Sequence, residues 1–334
     1  GATTKTTTTT TTPSNTPTTP RAQHVFVIAL STTSYDTAFG SGSTARYLNG
    51  TLKRQSMLLG GYESLGAGGL PDYLAMIGGQ PPNSETQAGC ATYAEFPTNA
   101  TPDKAGIVSA AGCVYPNTVL TIGDQVTSSG RQWKAYIEGI GPQACPHPDS
   151  NALDSTPPPH SGANYDTRHN PFIYYHSLLD LGGCASDDVS ITQLSRDLLK
   201  ASSTPAYSYI APDGCADATS VSCPGGGAVG LPAEDAFLKQ WVPRITASAA
   251  YKQGGALLIV FAPPIGTPGV VSSSDGPLPT GVLVLSSKTP RGQIVSAVYN
   301  PYSVLRVTDE LLGLKPLGLA TKAKSFTSKA FSGS

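Results

Sequence analysis

The chain has 334 residues, enough for one large α/β domain, and only 13% of them are charged, for a formal net charge of −1. So weak a field attracts no polyanion, which makes nucleic acid and anionic membrane poor candidates for partners. No apolar run reaches the roughly 20 residues that span a bilayer, and 36 glycines with 29 prolines describe a loop-rich domain rather than a disordered one.

Residues 1–22, GATTKTTTTTTTPSNTPTTPRA, form a Thr/Pro arm that cannot build a core. The chain opens on Gly with no apolar leader, which reads as a mature, already cleaved form. The arm is expected to be extended, either a glycosylated stalk or, because Thr is β-branched, a segment able to add to a sheet edge. The domain proper is expected over 23–320, with a polar, mobile tail over 321–334.

The run from His24 to Leu30 is continuously apolar, as a strand buried on both faces must be. Ala256–Phe261 and Gly281–Ser286 repeat the pattern. Helical spacing occupies 191–200, 233–249 and 303–313, the last closed by Gly313. Glu234 and Asp235 fall in the first turn of the second helix, where the helix dipole favours them. Asp187 and Asp188 are expected to cap the helix that starts near Ile191. Strands alternating with helices predict an α/β fold with a mainly parallel central sheet and helices on both faces.

The six cysteines are Cys90, Cys113, Cys145, Cys184, Cys215 and Cys223. Their even number and the lack of a CxxC pair predict three disulfides and a secreted or extracellular-surface protein. Fifteen pairings are open, and chain order favours neighbours: 90 with 113, 145 with 184, 215 with 223.

Seven blocks occur in an order that resembles the phosphoesterase family of phospholipase C and acid phosphatase type, with an alkaline-phosphatase-like fold. They are VFVIALSTTSYDTAFG from Val25, ARYLN from Ala45, LPDYLA from Leu70 with Gly79 and Gln80, WKAYIE ending at Glu138, RHNPF from Arg168, YIAPD from Tyr209 with Cys215 and Asp217, and YNPYSVLR from Tyr299. The resemblance implies a metal-dependent hydrolase site, and the departures from it decide the reading. The family's Glu-Asn metal pair after the first strand is Ser31-Thr32 here. Its nucleophilic serine is Gly69 and the His before it is Ala67. Its Asp-Glu pair is Ala262-Pro263, and two further His positions are Thr219 and Pro301. Glu138, His169, Asn170 and Asp217 are retained.

Hard divalent cations need several anionic oxygens or imidazoles converging on a point, and glycine has no nucleophile. The expectation is therefore no catalytic residue, no metal and no cofactor. The protein is read as a secreted pseudoenzyme acting as a structural or binding module, a homo-oligomer or surface assembly joined through its arm. The alternative is an active metal-dependent phosphoesterase or phospholipase C-like hydrolase. His169 is expected to order its loop. His147 and His160 with Asp149 and Asp154 could form a surface metal site, but a plain exposed loop is the favoured reading. Ser34 has no nucleophile-elbow context. Asn49 and Asn99 head glycosylation sequons.

Overall fold

The computed structural model describes residues 1, 19–66, 68–156, 165–217, 223, 225–264 and 276–333. Most of the Thr/Pro arm, Ala67, His160 and Thr219 lie outside the described residues.

Eight strands form one sheet: β1 Val25–Ser31, β2 Met57–Leu59, β3 Trp133–Ile137, β4 Asp188–Ser190, β5 Tyr207–Ala211, β6 Ala256–Ala262, β7 Val282–Leu285 and β8 Ile294–Val295. Their spatial order is β4-β3-β5-β1-β6-β7-β2-β8. The expected central strands, β1 and β6, lie side by side and parallel, in register from Val25 opposite Ala256 to Ser31 opposite Ala262. The third apolar run is β7, and it is antiparallel to both its neighbours, β6 and β2. All other pairings are parallel, so the sheet is mainly parallel, as expected.

β1 is apolar throughout because alternate side chains enter different cores. Val25, Val27 and Ala29 pack into one, together with Trp133, Phe172 and the helices α1 (Leu70–Gly78) and α3 (Pro301–Leu312). Phe26, Ile28 and Leu30 pack into the other, under α2 (Leu231–Ala247). The buried stripe of α2 runs through Leu231, Glu234, Leu238, Trp241 and Ile245 at helical spacing. α3 begins with an Asn300–Ser303 capping box and Pro301 in its first turn. It ends at Gly313, whose φ of 73° needs the left-handed freedom of glycine.

Three disulfides join Cys90 to Cys113, Cys145 to Cys184 and Cys215 to Cys223, the neighbour order expected from the sequence. No helix among the described residues is long and apolar enough to cross a membrane.

Three local expectations are corrected. Residues 191–200 do not form one helix: a short 3-10 turn over Ile191–Gln193 leads into a single α turn over Leu194–Asp197. Its cap is Ser190, which accepts from the Thr192 N–H; Asp187 ends the preceding short helix and Asp188 opens β4 with a buried side chain. The C-terminal stretch is polar in composition yet docked, because Phe326 and Phe331 enter the core while Ser325 and Thr327 donate to the Glu310 carboxylate at 2.6 Å each.

Candidate functional site

In an open α/β sheet the reactive crevice lies beyond the carboxyl ends of the parallel strands. Here that edge is formed by the ends of β1, β3, β5 and β6. The strand register brings Ser31 directly opposite Ala262, and the Thr32 N–H donates to the Ala262 carbonyl at 2.9 Å. The two positions that the resemblance marks for metal pairs are thus neighbours. All four of their residues, Ser31, Thr32, Ala262 and Pro263, are buried. Thr32 turns its hydroxyl onto the Ser34 carbonyl at 2.8 Å, and Ser34 caps the short helix after it by accepting from the Thr37 N–H.

Gly69 is buried immediately before α1. Four residues on, Tyr73 donates its hydroxyl to the Leu30 carbonyl at 2.9 Å, tying the start of α1 to the end of β1. Pro301 occupies the first turn of α3, a position that needs no backbone N–H. Glu138 follows β3 directly, and its Oε2 accepts from the Asp213 N–H at 3.1 Å. Burial raises its carboxyl above the usual range, the Asp213 N–H opposes this, and the Asp213 charge adds to it. Beside it, a cavity of about 310 Å³ is lined by Glu138, Asp213, the Cys215–Cys223 bridge and the α2 residues Phe237 and Gln240.

His169 and Asp217 come together: His169 Nε2 lies 3.6 Å from Asp217 Oδ2, both groups being buried. His169 Nδ1 has no hydrogen-bond partner among the described residues, and its carbonyl accepts from Tyr209 at 3.3 Å. Asn170 belongs to a separate cluster, where its amide donates to Asp188 Oδ2 at 2.6 Å and to the Tyr165 hydroxyl at 3.1 Å. His147 stacks on Tyr93, with ring centroids 5.5 Å apart, and Asp154 accepts from Thr156 and Thr167. Asn49 is engaged with Gly40 and Lys53, whereas Asn99 is exposed.

One residue of the crevice was not foreseen. Glu234, expected only to favour the helix dipole, turns out of the first turn of α2. Its Oε1 accepts from the Ser31 N–H at 2.6 Å, with the Ser31 hydroxyl at 3.4 Å. It is 1% exposed, and Oε2 has no hydrogen-bond partner among the described residues. Burial drives this carboxyl well above the ordinary range; the Ser31 N–H and hydroxyl oppose the shift while the neighbouring Asp217 adds to it. Asp235, beside it, holds the Tyr47 and Leu48 N–H groups at 3.1 and 2.8 Å. The signal was the helical period itself, which sets Glu234 on the same stripe as Leu231, Leu238 and Trp241.

Among the described residues, one set of three metal-ligating side chains brings its donor atoms within 4.8 Å of one another: Cys145, Cys184 and Asp188. The two sulfurs are bonded to each other, so neither is a thiolate ligand.

No family model matches the chain, and no curated protein matches it. Solved structures do. A protein in the alkaline phosphatase superfamily from Vibrio parahaemolyticus aligns at a TM-score of 0.53 and 13% identity, over 94% of this chain and 75% of that one. The lipoteichoic acid synthase LtaP from Listeria monocytogenes aligns at 0.52 and 8%, over 95% and 79%. A structure from work on glycosaminoglycan metabolism by Bacteroides thetaiotaomicron aligns at 0.52 and 11%, over 93% and 76%. The chain therefore has the alkaline-phosphatase-like fold, which agrees with the resemblance carried by the seven sequence blocks.

Proposed function

We propose that the protein is a secreted, catalytically inactive relative of the phosphoesterases, kept as a structural or binding module. The observation that carries this reading is the crevice floor. Ser31, Thr32, Ala262 and Pro263 supply no anionic ligand there; of the carboxyls beside them, Glu234 accepts from the Ser31 N–H through Oε1 and Asp217 lies against His169. Burial raises the Glu234 carboxyl and so favours its neutral form, whereas a metal ligand must be ionised and share its cation with other donors. Gly69 in place of a nucleophile removes the covalent route as well. The three disulfides support an extracellular home.

The Thr/Pro arm is the proposed means of self-assembly. Its 20 or so residues reach roughly 65 Å when extended, far enough to cross onto another copy. The edge strand β8 offers it a place, since the sheet ends there with Ile294 and Val298 exposed. Deleting residues 1–20 tests the connector: the truncated chain is expected to be smaller in solution than the full one, and unchanged size and morphology would refute it.

The alternative, an active metal-dependent hydrolase, is supported by the fold and the retained Glu138, His169 and Asp217. Phosphate mono- and diester turnover that a chelator abolishes would establish it. Rebuilding the family pattern with S31E, T32N, G69S, A262D, P263E and P301H, together with E234Q to clear the crevice, is expected to restore metal affinity that the natural chain lacks.

A further inference from the structure

Three carboxyl groups outside the crevice floor share one geometry. Asp72 in the first turn of α1, Asp188 at the start of β4 and Asp309 in α3 are each at most 1% exposed. None takes part in a salt bridge among the described residues. Asp72 Oδ1 accepts one N–H, from Leu65 at 2.9 Å, and Oδ2 has no partner. Asp188 Oδ2 accepts from Asn170, and Oδ1 has no partner. Neither oxygen of Asp309 has a partner in hydrogen-bond geometry among the described residues; the Leu317 N–H lowers its pKa, but by less than burial raises it.

The surroundings are mostly phenols rather than cations. Tyr62, Tyr73 and Tyr302 face Asp72. Tyr165 and Tyr209 face Asp188, whose Oδ2 lies 3.6 Å from the sulfur of Cys184. That sulfur is in a disulfide and has no proton to give, so the contact is repulsive for a carboxylate and tolerable for a carboxylic acid. Tyr207 faces Asp309, with Glu310 and Arg306 beside it on the same helix. The Arg306 guanidinium is already committed to Glu310 at 2.6 Å. An ionised carboxylate in such a place carries a desolvation cost that a neutral acid does not.

We propose that the domain folds proton-loaded, with Asp72, Asp188 and Asp309 as neutral carboxylic acids, so that it is matched to acidic surroundings and loosens as they turn alkaline. The inference does not depend on whether the crevice is inert. Burial pushes Asp72 and Asp309 well above the carboxylate range and Asp188 to about 7. A carboxyl raised in the folded state contributes stability that is fully present below its unfolded value, 3.8 for these groups, and is lost as pH rises through the folded value. For Asp188 that window runs from 3.8 to about 7.

His176 adds in the same direction. Its two ring nitrogens lie 2.8 Å from Glu95 and 2.9 Å from Asp180, so only the imidazolium can donate to both. Partial burial lowers its pKa, but hydrogen bonds and charge from Asp180 and Glu95 outweigh this and leave it raised. Glu310 opposes: burial raises it, yet Ser325, Thr327 and Arg306 hold it lowered, so its contribution is lost on the acid side and sets the lower limit of the optimum.

The test uses the intact, disulfide-bonded full chain. Proton uptake is measured by pH-stat when the unfolded chain refolds at about pH 6, and the melting temperature is followed from about pH 4 to about pH 9. The expected results are uptake of about four protons per molecule, one each at Asp72, Asp188, Asp309 and the buried Glu234, and a melting temperature that falls as the medium passes from about pH 5 to about pH 8. Asp188→Asn is expected to remove about one proton of uptake and to flatten that fall, while His176→Gln leaves the carboxyl uptake in place. If Asp188→Asn does not fold, Asp72→Asn and Asp309→Asn give the same reading. Refolding that releases protons or takes up none, or a melting temperature that rises toward pH 8, would overturn the proposal.

Discussion

The block around His169 and the crevice floor around Ser31 are both buried and both lie at positions that the phosphoesterase resemblance aligns, yet they are built differently. In the first, RHNPF is kept whole: Arg168 pairs with Asp166 at 2.8 Å, Asn170 bridges Asp188 and Tyr165, and Phe172 stacks on Trp133 with ring centroids 4.8 Å apart. In the second, the side chains at 31, 32, 262 and 263 are small or neutral, and a glutamate from α2 lies against Ser31. The difference separates two tasks. Residues that hold the fold are costly to exchange because each has several partners, whereas residues that hold a metal answer only to the metal.

If that separation is right, the retained block answers to stability. Trp133 is fully buried between Phe172 and Gly123, at which even a β-carbon would come within 2.8 Å of the indole. Trp133→Ala is expected to cost about 3–5 kcal/mol in denaturant unfolding. A cost well under 1 kcal/mol would show that the block is not a structural anchor.

A smaller effect is expected where the same region is stapled. The Cys145–Cys184 bridge has a sequence separation of 39 and lies against Asp188. Replacing both cysteines by serine should cost on the order of 2–4 kcal/mol. An unchanged unfolding midpoint would mean that the bridge constrains nothing the native contacts do not already fix.

The crevice side is sharpened by Glu234. Glu234→Ala removes the acceptor of the Ser31 N–H and should cost about 1–3 kcal/mol. Glu234→Gln keeps an acceptor and a neutral head group and should come close to the natural stability at acid pH. The folded carboxyl is raised above 4.5, so its contribution is present below that pH and is lost as pH rises through the folded value. The glutamine variant should therefore lose less stability than the natural chain on going from about pH 5 to about pH 8. Identical pH profiles would show that Glu234 is ionised, and the crevice would then need a cation.

How much of this was legible in the sequence follows from the same physics. β1 and β6 were plain because a strand covered on both faces has no polar phase, and α3 was plain from its period and Gly313. The antiparallel sense of β7 was not, since a short apolar run carries no direction. The disulfide partners followed from chain order. The tail after residue 320 was misjudged because Phe326 and Phe331 are two apolar residues among many polar ones, and docking depends on the groove that receives them. Asp187 and Asp188 were misread because a pair of acids before an apolar stretch is an ordinary cap pattern, and only the tertiary partner Asn170 draws Asp188 inward. Glu234 shows how periodicity can be outweighed by habit: an acid in a first helical turn is commonly exposed, but its phase on α2 is that of the core.

The proposal that the crevice of this alkaline-phosphatase-like fold takes no metal is tested most directly by titrating the full chain with zinc, manganese, magnesium and calcium while assaying phosphate mono- and diester hydrolysis. The account predicts no stoichiometric binding in the crevice and no turnover above the uncatalysed rate. One equivalent of metal bound beside Ser31 and Glu234, with hydrolysis that a chelator abolishes, would contradict it.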